Sequence, residues 1–202
     1  MRQTQAQRTE ATTTALVASA RDLFARDGYE ATSLTAVATA AGVSKGAVYH
    51  HFHDKPDLFA AVFAGEVTRA VDVVVRAYRA DADPWAGFAA GCRAFLAHCL
   101  DPAVQRIMLV EAHRALGWEH MRRLEYPLLS MMETGIESAA DADAIAPRSA
   151  RALTHLLFGA ICESAMEVAR APDPLAAHRD ALDEINHLLH GLTVTPRDGD
   201  KP

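Results

Sequence analysis

Residues 34–56, LTAVATAAGVSKGAVYHHFHDKP, leave the chain few ways to fold. Leu34, Val37, Ala38 and Ala41 recur at the i, i+3, i+4, i+7 spacing that places apolar groups on one helix face. Gly42 then supplies a left-handed backbone at little steric cost and stops that helix. Ser44 follows as an acceptor for the open amides of a second helix start. Val43, Ala47 and Val48 are small enough for two helices to cross closely. An aspartate, a lysine and a proline at 54–56 open a third helix. Two short helices broken at a glycine and crossed steeply make a helix-turn-helix, whose second helix lies in the DNA major groove. The outward residues Ser44, Lys45, Tyr49, His50 and His51 are donors, mostly cationic or aromatic, as contacts to phosphates and base edges require. The segment predicts a DNA binder.

A wider set of residues carries a resemblance. Gly28-Tyr29, Thr32-Ser33-Leu34, Val37-Ala38, the run from Ala41 to Phe52, and Lys55-Pro56-Asp57-Leu58 resemble the amino-terminal signature of the tetracycline-repressor (TetR) family. The likeness covers roughly the first quarter of the chain. A lone helix–glycine–helix pattern arises by chance. Here the turn, the Tyr-His-His-Phe ending and the Lys-Pro helix start stand together at family spacing. The resemblance implies an all-α fold of about nine helices, with a three-helix DNA-binding head on a helical, ligand-sensing body that dimerises.

Composition sets the remaining bounds. The 202 residues suit one domain, or two small ones sharing a core. Half are hydrophobic, alanine dominates and β-branched alternation is nearly absent, which predicts an all-α chain. The net charge is −6, unevenly spread. Residues 1–55 carry six basic against five acidic side chains, with His50, His51 and His53 besides; the rest carries fourteen against twenty-one. An acidic body on a near-neutral head suits site-specific binding and excludes a non-specific coating protein, which needs a broad basic face. Cys92, Cys99 and Cys162 form no CxxC pair and no zinc-ligand spacing, as expected of reduced, buried thiols in a cytoplasmic protein. The start, MRQTQAQRTE, lacks the apolar core of a signal peptide, and no apolar run approaches the ~20 residues that span a bilayer, so no membrane partner is expected.

The expected organisation is a flexible arm at 1–8, a helix-turn-helix DNA-binding domain at 9–55, a helical regulatory and dimerisation domain at 56–192, and a disordered tail at 193–202. The first helix is expected from about Thr9 to Asp27, with Leu16, Ala20, Leu23 and Phe24 as its buried stripe and Gly28 closing it. Ser33 and Asp54 read as caps of the second and fourth helices, the fourth running to about Ala80. Asp83-Pro84, Asp101-Pro102 and Asp173-Pro174 each spell a helix start, cap then proline. Helices are expected at about 84–99, 102–116, 118–140, 147–170 and 174–191, with Pro127 kinking or splitting the third of these and 139–147 a loop.

Candidate DNA contacts are Ser33, Thr35, Ser44, Lys45, Gly46, Ala47, Tyr49, His50 and Lys55. Lys45 and Gly46 open the recognition helix, where side chains and bare backbone meet bases or phosphate. Tyr49 and His50 follow one turn later; for Tyr49 the alternative is a core aromatic with its hydroxyl outward. Lys55 stands at another helix start, and Ser33 and Thr35 add donors from the second helix. His51 is as readily a packing residue as a contact. Adjacent histidines on a helix point about 100° apart, so His50-His51-x-His53 is no metal site.

In the body, Phe88, Cys92 and Phe95, with Met108, Trp118, Met121, Phe158, Cys162 and Met166, offer the adaptable apolar surface of a pocket for a small-molecule effector, or ordinary core. Glu111 shares a helix face with apolar Val104, Ile107, Met108 and Ala115. Drawn inward, it needs a partner such as Arg114, His155 or a polar ligand group, and Glu111 and His155 are themselves candidates to line the pocket. Residues 147–170 are apolar on two faces, as a helix buried on two sides must be. The resemblance implies that the last two helices pair with their copies, which makes Leu153, Leu157, Ala160, Ile161, Ser164, Leu182, Ile185 and Leu189 candidates for a homodimer interface. The chain has no GxSxG, no phosphate-cradling glycine loop and no HExxH, so no catalytic residue and no cofactor are expected. The resemblance implies a repressor released from double-stranded operator DNA by a small, largely apolar ligand; the alternative is a ligand-independent dimeric regulator.

Overall fold

The computed structural model describes residues 4–193, and its ten helices there have no strand between them. The helices are α1 (Gln5–Asp27), α2 (Leu34–Ala40), α3 (Lys45–His51), α4 (Lys55–Tyr78), α5 (Pro84–His98), α6 (102–116), α7 (Trp118–Leu124), α8 (Tyr126–Asp141), α9 (Ala150–Arg170) and α10 (Pro174–His190). Ten replace the expected nine because the helix expected at 118–140 splits at Glu125, two residues ahead of Pro127. Proline disfavours helical backbone in the residue before it, so the break falls upstream of the ring. Helix α6 is continuous but not uniform: Pro102–Val104 and Ala112–Leu116 are α-helical, and Gln105–Glu111 between them is π-helical.

The starts are written locally. Ser33 Oγ accepts the Ala36 amide, Ser44 Oγ that of Ala47, and Asp83 Oδ1 that of Ala86, at 3.1, 3.2 and 2.6 Å. Asp54, Asp101 and Asp173 do the same at α4, α6 and α10. Two expected boundaries shift. Helix α1 begins at Gln5, four residues early, because Thr4 and Gln7 form a reciprocal capping box. Helix α9 begins at Ala150, capped by Ser149, since Pro147 lies ahead of the cap. The expected loop at 139–147 is partly structured: α8 reaches Asp141, and Ile145, fully buried, pairs with Thr193 in an isolated antiparallel bridge. Of the expected arm and tail, residues 1–3 and 194–202 lie outside the described residues.

The chain divides into two compact units, Met1–Arg69 with Asp101–Tyr126, and Ala70–Leu100 with Pro127–Pro202. The first holds α1–α3, α6, α7 and the amino-terminal part of α4. Its core joins Leu16, Ala20 and Phe24 of α1 to Val37 of α2, Val48 of α3 and Leu58, Phe59, Val62 and Phe63 of α4. Phe24, Tyr29 and Phe59 form an aromatic cluster with ring centroids 5.0 to 5.9 Å apart. Buried with this core is a charge. The Glu66 carboxylate, with no exposed surface, accepts Arg21 Nε and Arg69 Nη2, both at 2.6 Å, and Arg21 leans toward Asp101 at 3.8 Å.

The second unit is built by close approach. A Cβ on Gly87 would lie 2.6 Å from the Tyr78 carbonyl oxygen, one on Gly91 3.0 Å from Val74 Cγ1, and one on Gly135 3.0 Å from the Phe88 ring. These glycines let α5 press against the end of α4 and against α8. Trp85 stacks on Phe88 and donates its indole N–H to the Leu189 carbonyl, tying α5 to α10. Helix α9 does have the length and composition of a membrane span, at mean hydropathy 1.2 over its most apolar window, contrary to the expectation from sequence. One face of it, with Leu153, Leu157, Phe158 and Ile161, is buried within the chain.

Candidate functional site

The helix-turn-helix forms as its local chemistry dictates. Gly42 stands at φ +67 between α2 and α3, in the left-handed region. On α3 only Val48 is buried, which seats the helix on the head. Lys45, Gly46, Tyr49 and His50 lie exposed along the other side. Tyr49, 53% exposed, is therefore no core aromatic; the Lys45 ammonium stands 6.0 Å from its ring centroid, within cation–π range. Ser33 and Ser44 are exposed with their hydroxyls engaged in capping, Thr35 is exposed on α2, and Ala47 is half-buried.

Two candidates behave differently. Lys55 turns inward: its ammonium donates to the carbonyls of Tyr29 at 2.9 Å and Glu30 at 3.3 Å and lies 4.3 Å from the centre of the Tyr29 ring. It fastens the start of α4 to the corner between α1 and α2, with two of its three donors committed. His51 Nδ1 sits 3.0 Å from Thr13 Oγ1, so this histidine packs α3 against α1.

The same corner is gripped from α6, which sequence reasoning did not anticipate. Arg106 Nη1 donates to the carbonyls of Arg26 at 2.8 Å and Ala25 at 3.3 Å, satisfying the open end of α1. Glu111 Oε1 accepts the Tyr29 amide at 3.3 Å, and Arg106 Nε lies 3.9 Å from that oxygen. Arg114 pairs with Glu30 at 2.9 Å. Gly28, at φ +87, is required twice over: its backbone is left-handed, and a Cβ would stand 2.9 Å from Glu111 Oε1 and 3.1 Å from Arg106 Nη2. Glu111 thus joins α6 to the head, in place of a ligand group or His155.

The other pocket candidates divide between the two units. Met108, Glu111, Trp118 and Met121 belong to the first; Phe88, Cys92, Phe95, His155, Phe158, Cys162 and Met166 belong to the second. Met108, Met121, Phe88, Cys92, Phe95 and Phe158 are buried, and burial pushes the Cys92 thiol up to about 12. Trp118 and His155 are exposed, which corrects their expected inward placement. Arg122 lies 4.7 Å over the Trp118 ring, and the His113 ring stands 5.2 Å from it, tilted by 49°. Arg122 also meets the buried Glu125, whose pKa burial raises against that pairing.

Of the dimer candidates, Leu153, Leu157, Ile161, Ile185 and Leu189 are buried inside the single chain, where α9 and α10 pack on each other and on α5. Periodicity marks an apolar face without saying what covers it, so these five stand corrected as core. Ser164 and Leu182 are half-buried and Ala160 is exposed. The free face of α9 is instead Ala152, Leu156, Gly159, Ala160 and Glu163, with Leu156 71% exposed, and α10 adds exposed Leu188.

Residues 85–192 match the family described as tetracyclin repressor-like, C-terminal domain, and residues 16–62 match the bacterial regulatory proteins of the tetR family. A TetR-family transcriptional regulator from Pectobacterium atrosepticum, solved by crystallography, is 32% identical; the likeness covers 96% of this chain and 100% of that one, with a TM-score of 0.83. The Tn10 transposon TetC protein of Escherichia coli is 30% identical over 113 residues, 55% of this chain and 57% of that protein. The transcriptional repressor AcnR of Corynebacterium glutamicum is 39% identical over 59 residues, 29% of this chain and 31% of that one. The chain thus spans 57% and 31% of these two relatives' length.

Proposed function

This chain belongs to the tetracycline-repressor family of bacterial regulatory proteins, whose members are regulators and not enzymes, and on that premise we propose that it is a sequence-specific repressor of transcription. In this reading it works as a cytoplasmic homodimer and leaves its operator when a small, largely apolar molecule binds its body. The observation that carries the reading is the surface of α3, where Lys45, Gly46, Tyr49 and His50 are exposed on a helix seated by Val48 alone. Inserted in a major groove, Lys45 reaches base edges, while Tyr49, His50 and Thr35 meet flanking phosphates. Lys55 positions the head rather than spending its charge on DNA.

The exposed row Ala152, Leu156, Gly159 and Ala160 on α9, with Leu188 on α10, suits a two-fold contact, since small residues let helix backbones approach. Two heads then meet successive grooves about 34 Å apart. A ligand acts only through its preference between two body states, and the grip of α6 on the α1–α2 corner is a route by which that preference reaches the head. A second reading, a ligand-independent dimeric regulator, draws support from the tight packing at Gly87, Gly91 and Gly135.

The test is fluorescence anisotropy with DNA from upstream of the protein's own gene, and random DNA as control, across a salt series. Specific binding that weakens with salt, and drops at least about tenfold when Lys45→Ala and Tyr49→Ala are combined, is expected. Equal affinity for both DNAs, unmoved by the substitutions, defeats the proposal. A thermal-shift screen then separates the two readings, since only the first gives ligands that also lower operator affinity.

A further inference from the structure

Helix α6 carries a distortion that binding an operator does not require. A π-helical stretch is in effect one residue inserted into an α-helix, and such stretches cluster at functional sites. What the stretch Gln105–Glu111 achieves can be worked out from helix geometry. Successive residues of an α-helix turn by about 100°, so side chains five apart point about 140° away from each other. In a π turn the backbone bond closes from i to i+5, and residues five apart come to the same face. Arg106 and Glu111 are five apart, and both reach Gly28, at 3.1 and 2.9 Å from where its Cβ would stand. Arg106 holds the carbonyls at the end of α1 while Glu111 holds the Tyr29 amide. The π turn is what lets one helix grip the corner with both side chains.

We propose that α6 is a two-register element. With the extra residue lodged in 105–111, both side chains hold the α1–α2 corner. When that residue migrates toward the carboxyl end, the span reverts to α-helix and Glu111 swings about 100° away from Arg106, releasing Tyr29. Gly117 ends the helix six residues beyond the π turn, at φ +72 with nothing within 4 Å of a Cβ, and has room to absorb the displaced residue. The corner leads within four residues to Ser33 and α2, so the register of α6 sets how the helix-turn-helix is held. The consequence for operator affinity rests on the DNA-binding reading; the register change itself does not.

Amide hydrogen exchange on the full chain, without DNA, tests it. In the unaltered protein the Tyr29 amide is expected to exchange by sub-global opening, faster than the amides of Leu109–Glu111, which are hydrogen-bonded in either register. Deleting Val110, which is exposed on the π turn, makes Arg106 and Glu111 neighbours at i, i+4 in a plain α-helix. They then lie about 40° apart and still hold the corner, with no second register to visit. The deletion is expected to raise protection of the Tyr29 amide about tenfold or more. Unchanged or faster exchange at Tyr29 in a folded deletion variant overturns the proposal. Should the deletion prevent folding, exchange of the Tyr29 amide in the unaltered chain only by global unfolding overturns it alone. Sub-global opening at Tyr29 in a chain that fails to bind operator would keep the register switch and sink the repressor reading, so the two are separable.

Discussion

Removing the charge of Glu66 tests whether the head depends on its one fully buried carboxylate. Glu66→Gln keeps the volume and loses the anion that receives Arg21 and Arg69 at 2.6 Å each. Breaking a wholly buried pair costs about 3–5 kcal/mol. Here the penalty is smaller, because the Arg21 and Arg69 side chains keep 27% and 47% of their surface and can rehydrate. The glutamine oxygen also still accepts one of the two. Weighing two charge-assisted bonds of about 1.5–3 kcal/mol each against that recovery leaves about 2–3 kcal/mol. For a chain of this size each kcal/mol moves the midpoint by about 2–4 °C, so thermal unfolding by circular dichroism should show a drop of about 4–12 °C. Because the carboxylate is shielded from solvent, the drop should persist in 0.5 M salt, where exposed pairs are screened to within about 4 Å. A loss under about 2 °C, or one that salt abolishes, would refute the argument. Replacing both Arg21 and Glu66 by methionine should cost less than Glu66→Gln, since no charge is then left buried.

Gly28→Ala forces a side chain into left-handed backbone, at about 1–2 kcal/mol, and into the Glu111–Arg106 grip. Operator affinity should fall even where the variant is fully folded, and unaltered anisotropy would show the corner to be irrelevant to the head. Gly87→Ala drives a methyl against the Tyr78 carbonyl at 2.6 Å, and the urea midpoint should drop by an amount worth about 1–3 kcal/mol. Burial holds the Cys92 and Cys99 thiols at a pKa of about 12, above the ordinary 9.0. The unfolded chain therefore sheds these protons first as pH rises. Their contribution is intact below about pH 9 and fades between 9 and 12. At pH 8 a maleimide should leave both unmodified in the native protein and reach all three cysteines in urea, as read by mass spectrometry.

Much of the head was legible because its signals are local. Ser33, Ser44 and Asp54 each cap a helix within three residues, and Gly42 takes the left-handed turn its sequence position demanded. What escaped was long-range. Nothing near Glu66 says that Arg21, 45 positions earlier, will meet it. Glu111 could be recognised as an acid on an inward face, yet its partner is a backbone amide 82 residues away. The π turn has no compositional mark, so residues 102–116 read as plain helix. On α9, periodicity finds two apolar faces and cannot tell Leu157, buried in the chain, from Leu156, left outside it.

The two tryptophans fall one to each unit, and that gives the protein an optical address for each. Trp85, buried, stacked on Phe88 and bonded to Leu189, should emit at short wavelength and resist acrylamide. Trp118, 56% exposed beneath Arg122, should emit to the red and quench readily. Selective excitation with a quencher therefore reports the two units separately in one unlabelled sample. Any event confined to one of them, from denaturation to effector capture, can be assigned by colour alone.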